Sequence, residues 1–151
     1  MKKYPFLISL ATVAGVSFIL SPCVTLAQTV YFSGNDIIRS ITPPGPATTF
    51  ATLPPYTNPQ GLAFDTSGNL FVVGGGNVRK ITPGGAVSLF ATLPPGYFGG
   101  YGMAIDAANN LYVAGALSDQ IVKITPGGAV SIFATNTTSA TGLAIDSAGN
   151  L

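Results

Sequence analysis

Gly61-Leu62-Ala63-Phe64-Asp65 returns as Gly102-Met103-Ala104-Ile105-Asp106 and again as Gly142-Leu143-Ala144-Ile145-Asp146. Between these copies, Lys80-Ile81-Thr82-Pro83-Gly84-Gly85 returns as Lys123-Ile124-Thr125-Pro126-Gly127-Gly128, with a looser version at Ser40-Ile41-Thr42-Pro43. A spacing of about forty residues marks one supersecondary unit used repeatedly, so the unit decides the fold.

Within a unit the apolar residues come in short runs separated by turn chemistry. Leu62 to Phe64 is followed by Asp65-Thr66-Ser67-Gly68-Asn69, where aspartate can bond the backbone just ahead of it and glycine takes positive φ. Leu70-Phe71-Val72-Val73 runs into Gly74-Gly75-Gly76-Asn77, Val78 to Thr82 into Pro83-Gly84-Gly85, and Val87 to Thr92 ends before Pro94-Pro95. Short β-branched or aromatic runs bounded by glycine and proline read as strands. No window of helical length keeps a helical apolar spacing without a proline or glycine break. The chain past its first residues is all-β.

Each period therefore holds four antiparallel strands. The second strands, Leu70-Phe71-Val72-Val73 and Leu111-Tyr112-Val113-Ala114, are apolar on both faces and need cover above and below. Four-stranded sheets stacked face to face around an axis supply it, which predicts a β-propeller. A β-helix is the competing repeat architecture, but its coils are usually shorter than this period.

These residues resemble the NHL-repeat propeller family: an apolar strand opening with Gly and ending in Asp, a Gly-Asn turn, then an aromatic-valine strand. Gly61 to Asp65, Gly68-Asn69 and Leu70 to Val73 fit, as do Gly102 to Asp106, Asn109-Asn110 and Leu111 to Val113. The Ile81-Thr82-Pro83-Gly84 turn is similar to that of streptogramin lyases, which implies a magnesium-dependent lyase using histidine and glutamate. Gluconolactonase-like six-bladed propellers also look similar, and imply a divalent metal held by Glu, Asn and Asp. The chain contains neither histidine nor glutamate, so no catalytic or metal-binding residue and no cofactor carries over.

The start of the chain reads differently. Lys2 and Lys3 precede an apolar run from Phe6 to Leu20, with small or polar residues up to Thr25-Leu26-Ala27. This describes a secretory signal peptide over residues 1–27, leaving repeats over 28–151 and an exported, secreted or periplasmic protein with no membrane contact after cleavage. The alternatives are a retained anchor or lipidation at Cys23, the one cysteine, although Pro22 departs from a lipobox. Without Cys23 the mature chain has no disulfide, thiol nucleophile or cysteine metal site. Its charges, Arg39, Arg79, Lys80 and Lys123 against Asp36, Asp65, Asp106, Asp119 and Asp146, are balanced and scattered. No basic stripe marks a nucleic-acid partner.

Asp65, Asp106 and Asp146 recur in register, but one carboxylate per repeat does not make a calcium site, and each is read as capping its own turn. Arg79, Lys80 and Lys123 read as solvated or blade-to-blade positions. The Asn136-Thr137-Thr138 sequon is short enough to arise by chance.

The long connections are more informative, because loops carry recognition more often than frameworks do. One end of a propeller collects Pro54 to Pro59, Pro94 to Tyr101, Gly74 to Asn77 and Gly115 to Gln120. Tyr56, Asn77, Tyr97, Phe98, Tyr101 and Asp119 form the candidate binding face there, for a ligand, glycan or protein. Plain coverage of blade junctions is the competing reading.

Thr29-Val30-Tyr31-Phe32 aligns with a second strand, and Thr141 to Asp146 with a first strand available to complete the opening blade. About three blades is fewer than closed propellers have. The expectation is a partial propeller, with self-association of short chains as the alternative. Two functions follow: a non-enzymatic binding or interaction scaffold, or the N-terminal part of a propeller hydrolase or lyase whose catalytic residues lie beyond Leu151.

Overall fold

The computed structural model describes residues 28–97, 100–135 and 137–151, with only the backbone at positions 100 and 101. The segment expected to be a signal peptide, Phe98 and Asn136 of the sequon lie outside the described residues. Every regular element among the described residues is a strand. The first sheet holds β1 (Val30–Gly34), β2 (Ile37–Ile41) and β3 (Thr48–Thr52). The second holds β4 (Gly61–Phe64), β5 (Leu70–Gly74), β6 (Asn77–Ile81) and β7 (Val87–Thr92). The third holds β8 (Gly100–Ile105), β9 (Leu111–Gly115), β10 (Gln120–Ile124) and β11 (Val130–Thr135). Each sheet is an antiparallel meander in chain order. The fold is a row of three propeller blades.

The second strand of a full blade is apolar on both faces because it is covered twice. Leu70 and Val72 of β5 pack with Ile38, Ala51 and Leu53 of the first sheet. Phe71 and Val73, pointing the other way, pack with Met103, Leu111, Val113 and Val122 of the third. At about 25 cal/mol per Å² of buried apolar surface, these two layers are the main source of stability.

One irregularity repeats in every blade. The third-to-fourth strand ladder shifts register at Ile38/Arg39, Val78/Arg79 and Ile121/Val122, leaving Phe50, Phe90 and Phe133 as the extra residues of β-bulges. Each ring meets the second-strand aromatic of its own blade edge to face. The centroids are 5.0 Å apart for Tyr31–Phe50, 4.8 Å for Phe71–Phe90 and 4.9 Å for Tyr112–Phe133. Sheets also lock to each other at the Thr-Pro-Gly-Gly turns. Gly85 (φ +83°) and Gly128 (φ +84°) lie so close to the carbonyl oxygens of Phe50 and Phe90 that a Cβ would stand 2.8 and 2.9 Å from them. Glycine is required there for both conformation and space.

Thr141–Asp146 does not complete the opening blade. It pairs with no strand. Leu143 and Ile145 instead pack on the outer face of the third sheet against Tyr112, Ala114 and Ile121, where the first strand of a following blade would lie.

Candidate functional site

The second-to-third strand turns and the connections between sheets do meet at one end. In the first sheet Asp36, at φ 57°, turns the chain from β1 into β2, and its carbonyl accepts the Leu53 amide at 2.8 Å. Its carboxylate accepts the Tyr56 amide at 2.9 Å and the Asn58 amide at 2.7 Å, holding the connection Pro54–Pro59 at two points. Thr57, buried, closes the same loop by donating its hydroxyl to the Pro54 carbonyl at 2.6 Å.

Asp119 stands at the equivalent place in the third sheet. It has φ 50°, its carbonyl accepts the Thr137 amide at 3.0 Å, and its carboxylate accepts the Ser139 amide at 2.7 Å. In the second sheet the position is Gly76, which keeps the backbone bond to Leu93 but has no carboxylate. Asn77 beside it donates its amide to the Gly75 carbonyl at 3.0 Å and accepts the Thr92 hydroxyl at 3.1 Å. Asp119 and Asn77 thus hold their loops. Asp36, not among the candidates, does the same work and was legible as an Asn-Asp turn.

The tyrosines diverge. Tyr97 aligns with Thr57 and, like it, is buried, 2% exposed, its ring seated against Gly115. Its hydroxyl has no hydrogen-bond partner among the described residues, and burial raises its pKa. It is a strut, not a contact surface. Tyr56 aligns with Gly96 and is 92% exposed. Tyr101 lies in β8 with its side chain outside the described residues, as is the whole of Phe98. Of the six candidates, the loop-bearing end presents Tyr56 outward, with Asp119 exposed at the far end of the row.

The opposite end carries the repeated aspartates. Asp65 accepts the Ser67 and Asn69 amides and the Asn69 side chain at 2.7–2.9 Å. Asp106 does the same with Ala108 and Asn110 and also accepts the Tyr112 hydroxyl at 3.2 Å. Partial burial works to raise both pKa values, but the asparagine side chains and turn amides outweigh it and hold both carboxyls below the usual 3.8. Asp146 is lowered too, chiefly by Asn150. These carboxylates are saturated by their own turns. Asn109 reaches across from the third sheet to the Thr66 amide and hydroxyl, at 3.1 and 3.3 Å, tying two blades together. No group of three or more His, Cys, Asp or Glu converges on a metal position among the described residues. Lys80 and Lys123 lie over the rings of Phe71 and Tyr112, 5.9 and 5.6 Å from the centroids.

A groove of about 270 Å³ opens on the free side of the first sheet, lined by Phe32, Ser33, Gly34, Asn35, Ile37 and Arg39. It lies on the face that the second and third sheets turn toward their preceding neighbour.

No family model matches the chain, and no curated protein matches it. Solved structures do. A streptogramin B lyase superposes with TM-score 0.64 at 22% identity, over 78% of this chain and 41% of the lyase chain. The virginiamycin B lyase from Staphylococcus aureus gives 0.63 at 23% identity, over 75% and 40%. A protein of unknown function from Bacteroides caccae gives 0.57 at 18%, over 80% and 47%. At this identity the likeness is one of fold. The chain is a run of propeller blades spanning about two fifths of the length of the lyase chains it matches.

Proposed function

We propose that the chain is an exported propeller of the NHL-repeat type that works as a binding scaffold, with the loop-bearing end as its recognition surface. The observation that carries this is Tyr56. Its backbone is left-handed at φ 63°, a conformation that costs a non-glycine residue about 1–3 kcal/mol. The neighbouring connection has Gly96 at the same place, at φ 91°, where glycine fits without strain. Tyr56 thus holds a strained position with its ring in solvent, on a loop pinned by Asp36 and Thr57. A rigid, amphipathic ring gives contact area at small entropic cost. Export rests on the signal-like composition of residues 1–27.

The test is Tyr56→Gly, assayed on a panel of immobilised glycans and peptides. The expected result is loss of wild-type binding with an unchanged or raised unfolding midpoint, because glycine relieves the backbone. Binding that survives the substitution would remove Tyr56 from the surface and sink this reading.

The likeness to lyase chains favours a second reading, that the chain is the N-terminal part of a propeller lyase or hydrolase, streptogramin-lyase-like or gluconolactonase-like. Its catalytic residues would then lie beyond Leu151. Sequencing onward from the same reading frame decides it: blades bearing His and Glu on the loop-bearing end support an enzyme, and bare repeats support the scaffold.

A further inference from the structure

Tyr56 stands between two turns of unlike chemistry. On one side is the β1–β2 turn, whose Asp36 carboxylate accepts the Tyr56 amide at 2.9 Å through one oxygen and the Asn58 amide at 2.7 Å through the other. Each carboxylate oxygen keeps a second lone pair, and Asp36 is only partly buried. On the other side is the β5–β6 turn. A Cβ at Gly75 would stand 3.0 Å from the Tyr56 carbonyl oxygen, so this turn abuts Tyr56 directly. It is stripped of side chains. Gly75 and Gly76, at φ 57° and 73°, stand where the first sheet has Asn35 and Asp36.

The bare turn leaves donors unused. The Gly75 carbonyl accepts the Asn77 side-chain amide at 3.0 Å, and the Gly76 carbonyl accepts the Leu93 amide at 3.0 Å. The Gly75 and Gly76 amides donate to no group among the described residues, and Gly75 is exposed. An exposed ring thus has unspent N–H donors against one side of its residue and a carboxylate acceptor against the other.

This set of groups selects among ligand classes. An extended peptide added to a sheet needs a row of alternating donors and acceptors along a free edge, and two amides at the tip of a turn do not form one. An anion would stand beside the Asp36 carboxylate, with no Lys or Arg in 34–37, 53–60 or 74–77 to offset the repulsion. A neutral sugar meets all three groups. Its C–H face lies flat on an aromatic ring, and each hydroxyl can both accept from an amide and donate to a carboxylate.

We propose that this place takes an uncharged pyranose, stacked on the Tyr56 ring, with hydroxyl oxygens on the Gly75 and Gly76 amides and a hydroxyl proton on Asp36. The proposal rests on the reading of the loop-bearing end as a recognition surface and names what that surface recognises. The first two blades supply every group involved.

The test presents the full chain with neutral oligosaccharides of glucose, mannose, galactose and N-acetylglucosamine, with their sulfated and uronic-acid counterparts, and with a peptide panel. Binding to a neutral oligosaccharide is expected, kept by Tyr56→Phe and weakened at least about tenfold by Tyr56→Leu, the loss expected of an interface anchor. Tyr56→Leu removes the ring but keeps the backbone demand, so its unfolding midpoint should match wild type. When the bound oligosaccharide is titrated into isotope-labelled protein, the Gly75 and Gly76 amide resonances should move, and those of Gly84 and Gly85 at the opposite end should stay. Tyr56-dependent binding confined to peptides or to the anionic sugars would overturn the proposal and leave the recognition surface standing. So would neutral-sugar binding with the Gly75 and Gly76 resonances unmoved. Binding that ignores Tyr56, or no binding across the panel, would remove both.

Discussion

The same face of a blade exists in two states within this molecule. On the second sheet Leu70 and Val72 are fully buried, and on the third Leu111 and Val113 are 1% and 0% exposed. On the first sheet Val30 and Phe32 occupy those positions and stand half in water. The residue types scarcely differ, while the presence of a preceding sheet does. Apolar character on this face is therefore written for the neighbouring blade. The blade's own hydrogen-bond ladder forms without it.

The comparison breaks most sharply under charge. Val72→Asp places an unpaired carboxylate between the first two blades, and we expect it to cost more than about 4 kcal/mol, enough to abolish cooperative unfolding in a domain of ordinary stability. Phe32→Asp on the open face is expected to shift the urea midpoint of the dilute chain by less than about 1 kcal/mol equivalent. Equal losses would mean that the first sheet's outer face is buried in solution.

A second pair of substitutions tests the connections rather than the faces. A Cβ at Gly74 would collide with the Thr57 carbonyl oxygen and lie 2.7 Å from that of Asn58, because the connection from the first sheet crosses directly over it. Gly34, its counterpart in the first sheet, has nothing within 4 Å. Gly74→Ala should destabilise by about 1–3 kcal/mol through backbone overlap. Gly34→Ala should be neutral, or stabilise by about 0.4–1 kcal/mol through the unfolded chain. Thermal midpoints of the two variants decide it.

What was legible in the sequence follows from the range of each interaction. The strands of the second and third blades, the meander order and the aspartate turns rest on contacts within a few residues, and Asp65-Thr66-Ser67-Gly68-Asn69 states its own hydrogen bonds. The bulged phenylalanines were visible as Phe50, Phe90 and Phe133, each followed by Ala-Thr, but their role needs the cross-strand register to be known. Tyr97 could not be placed from its neighbours. Glycine and proline around it describe a surface loop, and its burial comes from Gly115, far along the chain, leaving room for a ring. Alignment with Thr57, itself buried, was the available signal. The docking of Leu143 and Ile145 on the third sheet depends on which blade lies nearest in space, which the repeat leaves open.

The smallest effect separates two copies of one turn. Asp106 lies in an intact blade, between β8 and β9, and accepts the Tyr112 hydroxyl besides its turn amides. Asp146 makes the same turn bonds with Ala148 and Asn150 but joins no paired strand. Both pKa values are lowered in the folded chain, so each carboxylate favours the fold when ionised. By linkage that contribution is fully present above the unfolded value, near 3.8, and is lost as pH falls through the lowered folded value. Only a turn inside the cooperative sheet passes the loss to the whole blade; one on an unpaired segment opens locally. Unfolding curves between about pH 5 and 2 should therefore flatten in Asp106→Asn and stay as wild type in Asp146→Asn, measured on the dilute chain.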